Sequence, residues 1–117
     1  MITPGPVNTH SAEHYVWGQV CDGWKLLNRS DLSVIEERVP PGASEVRHVH
    51  AKARQFFYIL KGTACLEMNG VEHVLNTGDG LEVPPEMPHR FKNTSNVEVV
   101  FLVVSAPSTQ GDRTNLA

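Results

Sequence analysis

The chain reads as an all-β domain, a sandwich or a barrel, and three observations point there. Short runs rich in β-branched, aromatic and leucine residues recur along its 117 residues. Gly, Pro and Asn clusters separate them, as at Pro40-Pro41-Gly42 and Thr77-Gly78-Asp79-Gly80. No stretch keeps a convincing helical period. The length suits one domain, residues 1–117, with residues 1–12 as an N-terminal arm and 105–117 as a C-terminal tail.

Each strand has its own signal. Residues 1–12 carry Pro4, Gly5 and Pro6 and no periodicity, so an irregular lead-in is expected. Residues 15–20 suit a short strand, Cys21-Asp22-Gly23 a turn, and 24–27 a second extended run. Residues 32–39 form the next strand, stopped by the prolines. Its alternation sets Glu37 on one face and Glu36 and Arg38 on the other, without saying which is inward. In residues 55–60, Gln55, Phe57 and Ile59 share one face, and Phe56, Tyr58 and Leu60 the other. Both sets are rich in apolar residues, so a cover is expected outside. A second copy of the chain is one candidate cover, and an N-terminal segment carrying Tyr15 and Trp17 is the other. Asn69-Gly70 between two extended runs marks a hairpin, because both residues tolerate positive φ. Residues 81–83 are a short strand, residues 84–88 a rigid proline loop, and residues 97–104 a nearly unbroken apolar strand. The polar tail beyond is expected to be loose, a frayed end rather than a salt-bridged clasp through Asp112 and Arg113.

Composition excludes several classes. A net charge of −3 gives no reason to expect nucleic acid or an anionic membrane as partner. No apolar run approaches membrane-spanning length, and the first residues lack the basic and apolar regions of a signal peptide, so a cytoplasmic protein is expected. Cys21 and Cys65 suit two reduced, buried thiols.

The chemistry concentrates in residues 42–62, GASEVRHVHAKARQFFYILKG. His48 and His50, two apart on an extended chain, aim two imidazoles at one spot. Neutral imidazole suits Zn, Cu, Fe and Ni, so the pair is half of a metal site if other ligands converge on it. His10, His14 and His73 lack partners at ligand spacing and are expected to be non-ligating.

This stretch resembles the first motif of the cupin family, G-x5-H-x-H-x4-E-x6-G. Gly42, His48, His50 and Gly62 match it, and Gln55 takes the glutamate position. The second motif, G-x5-P-x-G-x2-H-x3-N, is matched by Gly78, Pro84, His89 and Asn93, with Glu86 where the family has glycine. The resemblance implies a double-stranded β-helix, or jelly roll. It implies a divalent metal ion (Zn, Ni, Mn or Fe) held by His48, His50, Gln55 and His89, with Phe57, Ile59 and Phe91 lining the pocket. Cupin-like phosphomannose isomerases use a glutamine on zinc, and thiol dioxygenases a three-histidine site. The expected function is therefore a metal enzyme acting on a small anionic or enolisable molecule, dioxygenase-like or isomerase-like. The alternative is a non-catalytic sensor or binding protein for a sugar or similar ligand. An isomerase needs a base beside its substrate. The catalytic candidates are Glu36 or Glu37, whichever faces inward, and Glu86 at the mouth. Cupins commonly form homodimers, which would cover Phe56, Tyr58 and Leu60.

Overall fold

A computed structural model describes residues 3–116. It is all-β, with two antiparallel sheets and no helix among the described residues. The larger sheet runs β1 (Glu13–Trp17), β2 (Cys21–Asn28), β3 (Ser33–Val39), β10 (Val99–Ala106), β5 (Arg54–Lys61) and β8 (Gly80–Val83). The smaller runs β11 (Thr114–Asn115), β4 (His48–Val49), β9 (His89–Lys92), β6 (Ala64–Met68) and β7 (Val71–Leu75). The two face each other as a jelly roll, a double-stranded β-helix.

Alternation builds the core. Along β5, Gln55, Phe57 and Ile59 are buried while Phe56, Tyr58 and Leu60 face out. Along β10, Val99, Phe101, Val103 and Ser105 point inward. Phe101 stacks on Phe91 of β9 at 4.1 Å between ring centres and on Phe57 at 5.9 Å, so three aromatics bridge the sheets. Ile59, Leu66 and Val39 fill the space around them. Cys21 and Cys65 are free, buried thiols, as expected.

The chain departs from expectation near its start. The turn lies at Gly18 and Gln19, both with positive φ, and residues 21–23 belong to β2. Gly23 sits there because the Tyr15 ring of the paired strand occupies the place a β-carbon would take. Asn93 is buried, and its side-chain amide donates to the carbonyls of Val39 and Val97 at 3.0 and 2.8 Å. That residue ties the turn after β9 to β3. At Gly62, φ is +89°, and a β-carbon would meet the Glu98 carbonyl oxygen at 2.6 Å, which explains glycine at that point.

The outer face of β5 stays open. Phe56, Tyr58 and Leu60 are 44%, 39% and 40% exposed. The N-terminal segment does not cover them. β1 lies at the far end of the sheet from β5, and Tyr15 and Trp17 turn inward to a cavity.

The core stack supplies a stability test. Phe101→Ala should lower the unfolding free energy by about 3–5 kcal/mol, because the hole opens between two sheets that cannot both collapse into it. Urea denaturation of the metal-free protein measures it. A loss below about 1 kcal/mol would show that the stack is not the centre of the core.

Candidate metal centre

The two sheets meet around three imidazoles. His48 on β4 and His89 on β9 are directly opposed in the strand register, and His50 follows β4 by one residue. Ring centres stand 4.3 Å apart for His48 and His89, 4.9 Å for His48 and His50, and 5.6 Å for His50 and His89. One ligand nitrogen from each ring lies within 4.8 Å of the other two, and all three residues are buried.

Backbone carbonyls orient the rings. His48 Nδ1 donates to Val46 O at 2.7 Å, His89 Nδ1 to Met87 O at 3.0 Å, and His50 Nδ1 to Asp112 O. A carbonyl only accepts, so each Nδ1 carries the proton and each Nε2 keeps its lone pair. Burial opposes any second proton, lowering His48 to about 3 and His89 to about 4, and His50 shifts down for the same reason. These are neutral donors ready for a cation.

Gln55 arrives from the opposite sheet. Its Nε2 donates to Ser105 Oγ at 3.2 Å, and Oε1 has no partner. His89 Nε2 is likewise buried without a partner. An orphaned amide oxygen and an orphaned imidazole nitrogen, both shut off from water, are what a bound cation would satisfy. The donor set therefore fits a divalent metal ion.

The tail completes the site instead of fraying, and the clasp is made with backbone rather than as a salt bridge. The Asp112 carboxylate accepts from the amides of Ala51, Lys52 and Ala53 at 2.8, 3.0 and 2.9 Å. Desolvation alone would raise this carboxyl, but the three donors outweigh it and hold it below its ordinary range. β11 then pairs with β4, with Asn115 opposite His48. Tail composition reads as loop, and Asp112 enters that reading only as half of the disfavoured salt-bridged clasp.

A cavity of about 400 Å³ opens beside the imidazoles, walled by Tyr15, Trp17, Glu37, Glu45, Phe57 and Arg113 among others. The structure thus decides the alternation of β3: Glu37 faces inward, and Glu36 lies on the other side. Tyr15 Oη donates to Glu37 Oε2 at 3.0 Å. Burial pushes the Glu37 carboxyl up to about 7. Glu45 Oε1 accepts from the Phe91 amide at 3.0 Å, and burial, then the neighbouring Glu37, pushes its carboxyl up to about 8. Sequence reasoning missed Glu45 because residues 44–47 follow no strand alternation. Glu86 is not on the cavity wall. It is exposed at φ +67°, and its amide donates to the His50 carbonyl at 2.7 Å. That left-handed backbone accounts for glycine at this place in the cupin motif. Of the expected lining residues only Phe57 reaches the cavity. Ile59 and Phe91, at 0% and 1% exposure, lie in the core. His14 pairs with Asp22 at 2.8 Å, away from the site.

Comparison with known proteins agrees with the fold. Residues 35–105 match the family model Cupin_2, described as a cupin domain. An uncharacterized protein of Methanocaldococcus jannaschii is 29% identical over 72% of this chain and 67% of its own length. Protein SchB of Streptomyces halstedii is 38% identical over 51% of this chain, which spans less than half, 44%, of SchB. Among solved structures, KdgF from Halomonas sp. superposes with a TM-score of 0.82 at 18% identity, covering 91% of this chain and 96% of that one. A cupin-superfamily sugar phosphate isomerase from Silicibacter pomeroyi gives 0.78 at 23%, covering 89% and 76%. The polyketide cyclase RemF from Streptomyces resistomycificus gives 0.79 at 21%, covering 91% and 81%. At such identities these structures speak for the fold alone. With both sheets, the histidine cluster and the family match in agreement, the chain belongs to the cupin-domain family.

Proposed function

We propose that this cupin is a metal-dependent enzyme that moves a proton on a small enolisable or anionic molecule, an isomerase- or cyclase-like activity. The observation that carries the reading is Glu37, a carboxyl on the cavity wall beside the imidazoles, held by Tyr15 and titrating near neutrality. A general acid or base works best with a pKa near the operating pH. His48, His50 and His89 would hold a divalent ion, with Gln55 as a fourth ligand, and the ion would supply Lewis-acid polarisation of a substrate oxygen. Glu37 takes or returns the proton. Tyr15 positions it by donating to Oε2, which leaves Oε1 without that bond. Glu45 adds a second carboxyl whose repulsion keeps the pair from ionising together. Trp17, Ile35 and Phe57 give the pocket apolar walls. The sugar phosphate isomerase and the polyketide cyclase of the same fold perform chemistry of this broad kind by their names, which supports the reading by analogy only.

A non-catalytic binding protein is the second reading. The Thermotoga maritima oxalate-binding protein, 31% identical over 57% of this chain, favours it. The two separate on turnover. The metal-reconstituted protein is offered small enolisable ketones and sugar phosphates, and deuterium wash-in from solvent is followed by NMR. Exchange that needs both metal and Glu37 supports the enzyme. Oxygen consumption instead would indicate a dioxygenase, and binding without exchange the sensor.

The Glu37 assignment has a pH signature. Glu37→Gln should lower turnover by about 100-fold or more, and should abolish the limb near pH 7 of the wild-type pH–rate profile. As base, Glu37 is active when ionised, so that limb rises with pH. An unchanged profile in the variant sinks the assignment.

Metal content tests the donor set. One ion per chain is expected after reconstitution, with ligand nitrogens about 2.0–2.1 Å from it if the ion is zinc. Gln55→Glu should bind the metal more tightly and azide less tightly, because a carboxylate cancels part of the ion's charge. Azide affinity that ignores the substitution refutes the charge argument.

We also propose that the chain pairs two-fold through the outer face of β5. Phe56, Tyr58 and Leu60 form a contiguous exposed apolar row, and nothing among the described residues covers it. A self-complementary contact covers the same row on both copies. Sedimentation at micromolar concentration should give a dimer, and Tyr58→Asp a monomer. A soluble wild-type monomer ends the idea and leaves the metal centre untouched.

A further inference from the structure

The tail brings a cation to the cavity as well as a clamp. Arg113 follows Asp112 directly and, itself exposed, lines the cavity with His48, His50 and Gln55. It is the one lysine or arginine on that wall among the described residues. Its Nε donates to Asn115 Oδ1 at 2.8 Å and its Nη2 approaches the Val46 carbonyl at 3.5 Å. These contacts fix the side chain's direction and leave most of its five N–H groups free. Among the described residues no carboxylate comes within 4.0 Å of it. Glu37 and Glu45 are near enough to feel its charge without pairing with it.

The charge balance of the cavity is therefore unusual. The metal donors, three imidazoles and one amide, are all neutral. A divalent ion there would keep its full charge, and Arg113 adds another. Against them stand the two cavity carboxyls, whose ionised forms burial disfavours, and the Asp112 carboxylate, which three backbone amides already engage. Planar guanidinium matches carboxylate geometry through two parallel N–H donors, which a lysine could not offer.

We infer that Arg113 is the residue that reads the substrate's anionic group, and that the ligand class is a small molecule carrying a carboxylate besides the oxygen that faces the imidazoles. The inference rests on the metal-centre reading and gives it a substrate class. The tail then serves as recognition element and structural clamp at once: Asp112 holds the His50 loop, and the next residue holds the ligand.

The test is calorimetric titration of zinc-loaded wild type, Arg113→Gln and Arg113→Lys with oxalate, malonate and succinate. The corresponding diamides serve as uncharged controls and azide as a probe of the metal alone. The tightest dicarboxylate should bind Arg113→Gln about tenfold or more weakly than wild type, with Arg113→Lys between. Azide should change by no more than about threefold, since a screened guanidinium affects it only at a distance. Zinc stoichiometry and melting temperature should match wild type, which separates recognition from a merely structural tie to Asn115. Equal dicarboxylate affinity in wild type and Arg113→Gln overturns the inference. So does a parallel loss of azide and dicarboxylate, which would place the effect at the metal. Failure of any dicarboxylate to outbind its diamide on wild type overturns it as well. If the wild type takes up no zinc, the metal reading fails by itself. The same series on the metal-free pair then decides for Arg113 if its tenfold difference persists, and against it if the difference vanishes.

Discussion

Three imidazoles cannot be packed into a dry interior with their lone pairs converging unless something fixes each ring. Here that something is a backbone carbonyl behind every Nδ1. Two of the three acceptors are local, two residues before the histidine they hold, so the strand geometry that presents His48 and His89 also orients them. The third comes from 62 residues away in sequence, the Asp112 carbonyl of the tail. Much of the surrounding structure serves that one requirement. Asp112 caps the amides of the turn, β11 pairs with β4, and Glu86 accepts a left-handed backbone to bond the His50 carbonyl.

The electrostatics follow from the same arrangement. A carboxylate at position 55 would have placed a fixed negative charge among the imidazoles. Gln55 instead keeps the donor set neutral and spends its amide nitrogen on Ser105. The carboxyls lie farther out, on the cavity wall, where burial lifts them toward neutrality. The buried carboxyls thus line the cavity and not the imidazole cluster itself. Tyr15 takes part at a cost to its own acidity. Its burial and its bond to Glu37 raise the phenol well above its ordinary range, so it stays a donor at any working pH.

Much of this was legible in the amino acids. The alternation of β5 separated its two faces correctly, and the cupin resemblance pointed to His48, His50 and His89, which the fold brings together. What could not be read depends on tertiary position. Alternation says that Glu36 and Glu37 part company but not which face is inward; only the pairing of β3 between β2 and β10 decides that. Glu45 sits in an irregular stretch, where no period exists to read. Cys21-Asp22-Gly23 has the composition of a turn, yet Gly23 is there to admit the Tyr15 ring. Ile59 and Phe91 were expected at the cavity and lie beneath it, since sharing a face with a ligand does not fix depth along that face. The polar tail looked loose because capping by a single aspartate leaves no pattern in composition.

The position of β10 also sets the order in which this barrel can be assembled. It is the last long strand in the sequence, yet it lies inside the larger sheet, with β3 on one side and β5 on the other. Val99 pairs with Val39 and Ser105 with Ser33, so the ladder closes loops of more than half the chain. Contacts of that range are slow to form, because the entropy of closing the loop is lost before any pairing offsets it. Until residues 99–106 arrive, β3 and β5 each keep an open edge and the aromatic stack between the sheets lacks Phe101. Gln55 waits for Ser105, and His50 waits for Asp112. His48, His50 and His89 all precede these strands, but the acceptor that orients His50 and the partner of Gln55 come only with them. The oriented imidazole cluster is thus a property of the closed barrel, completed by the final strands.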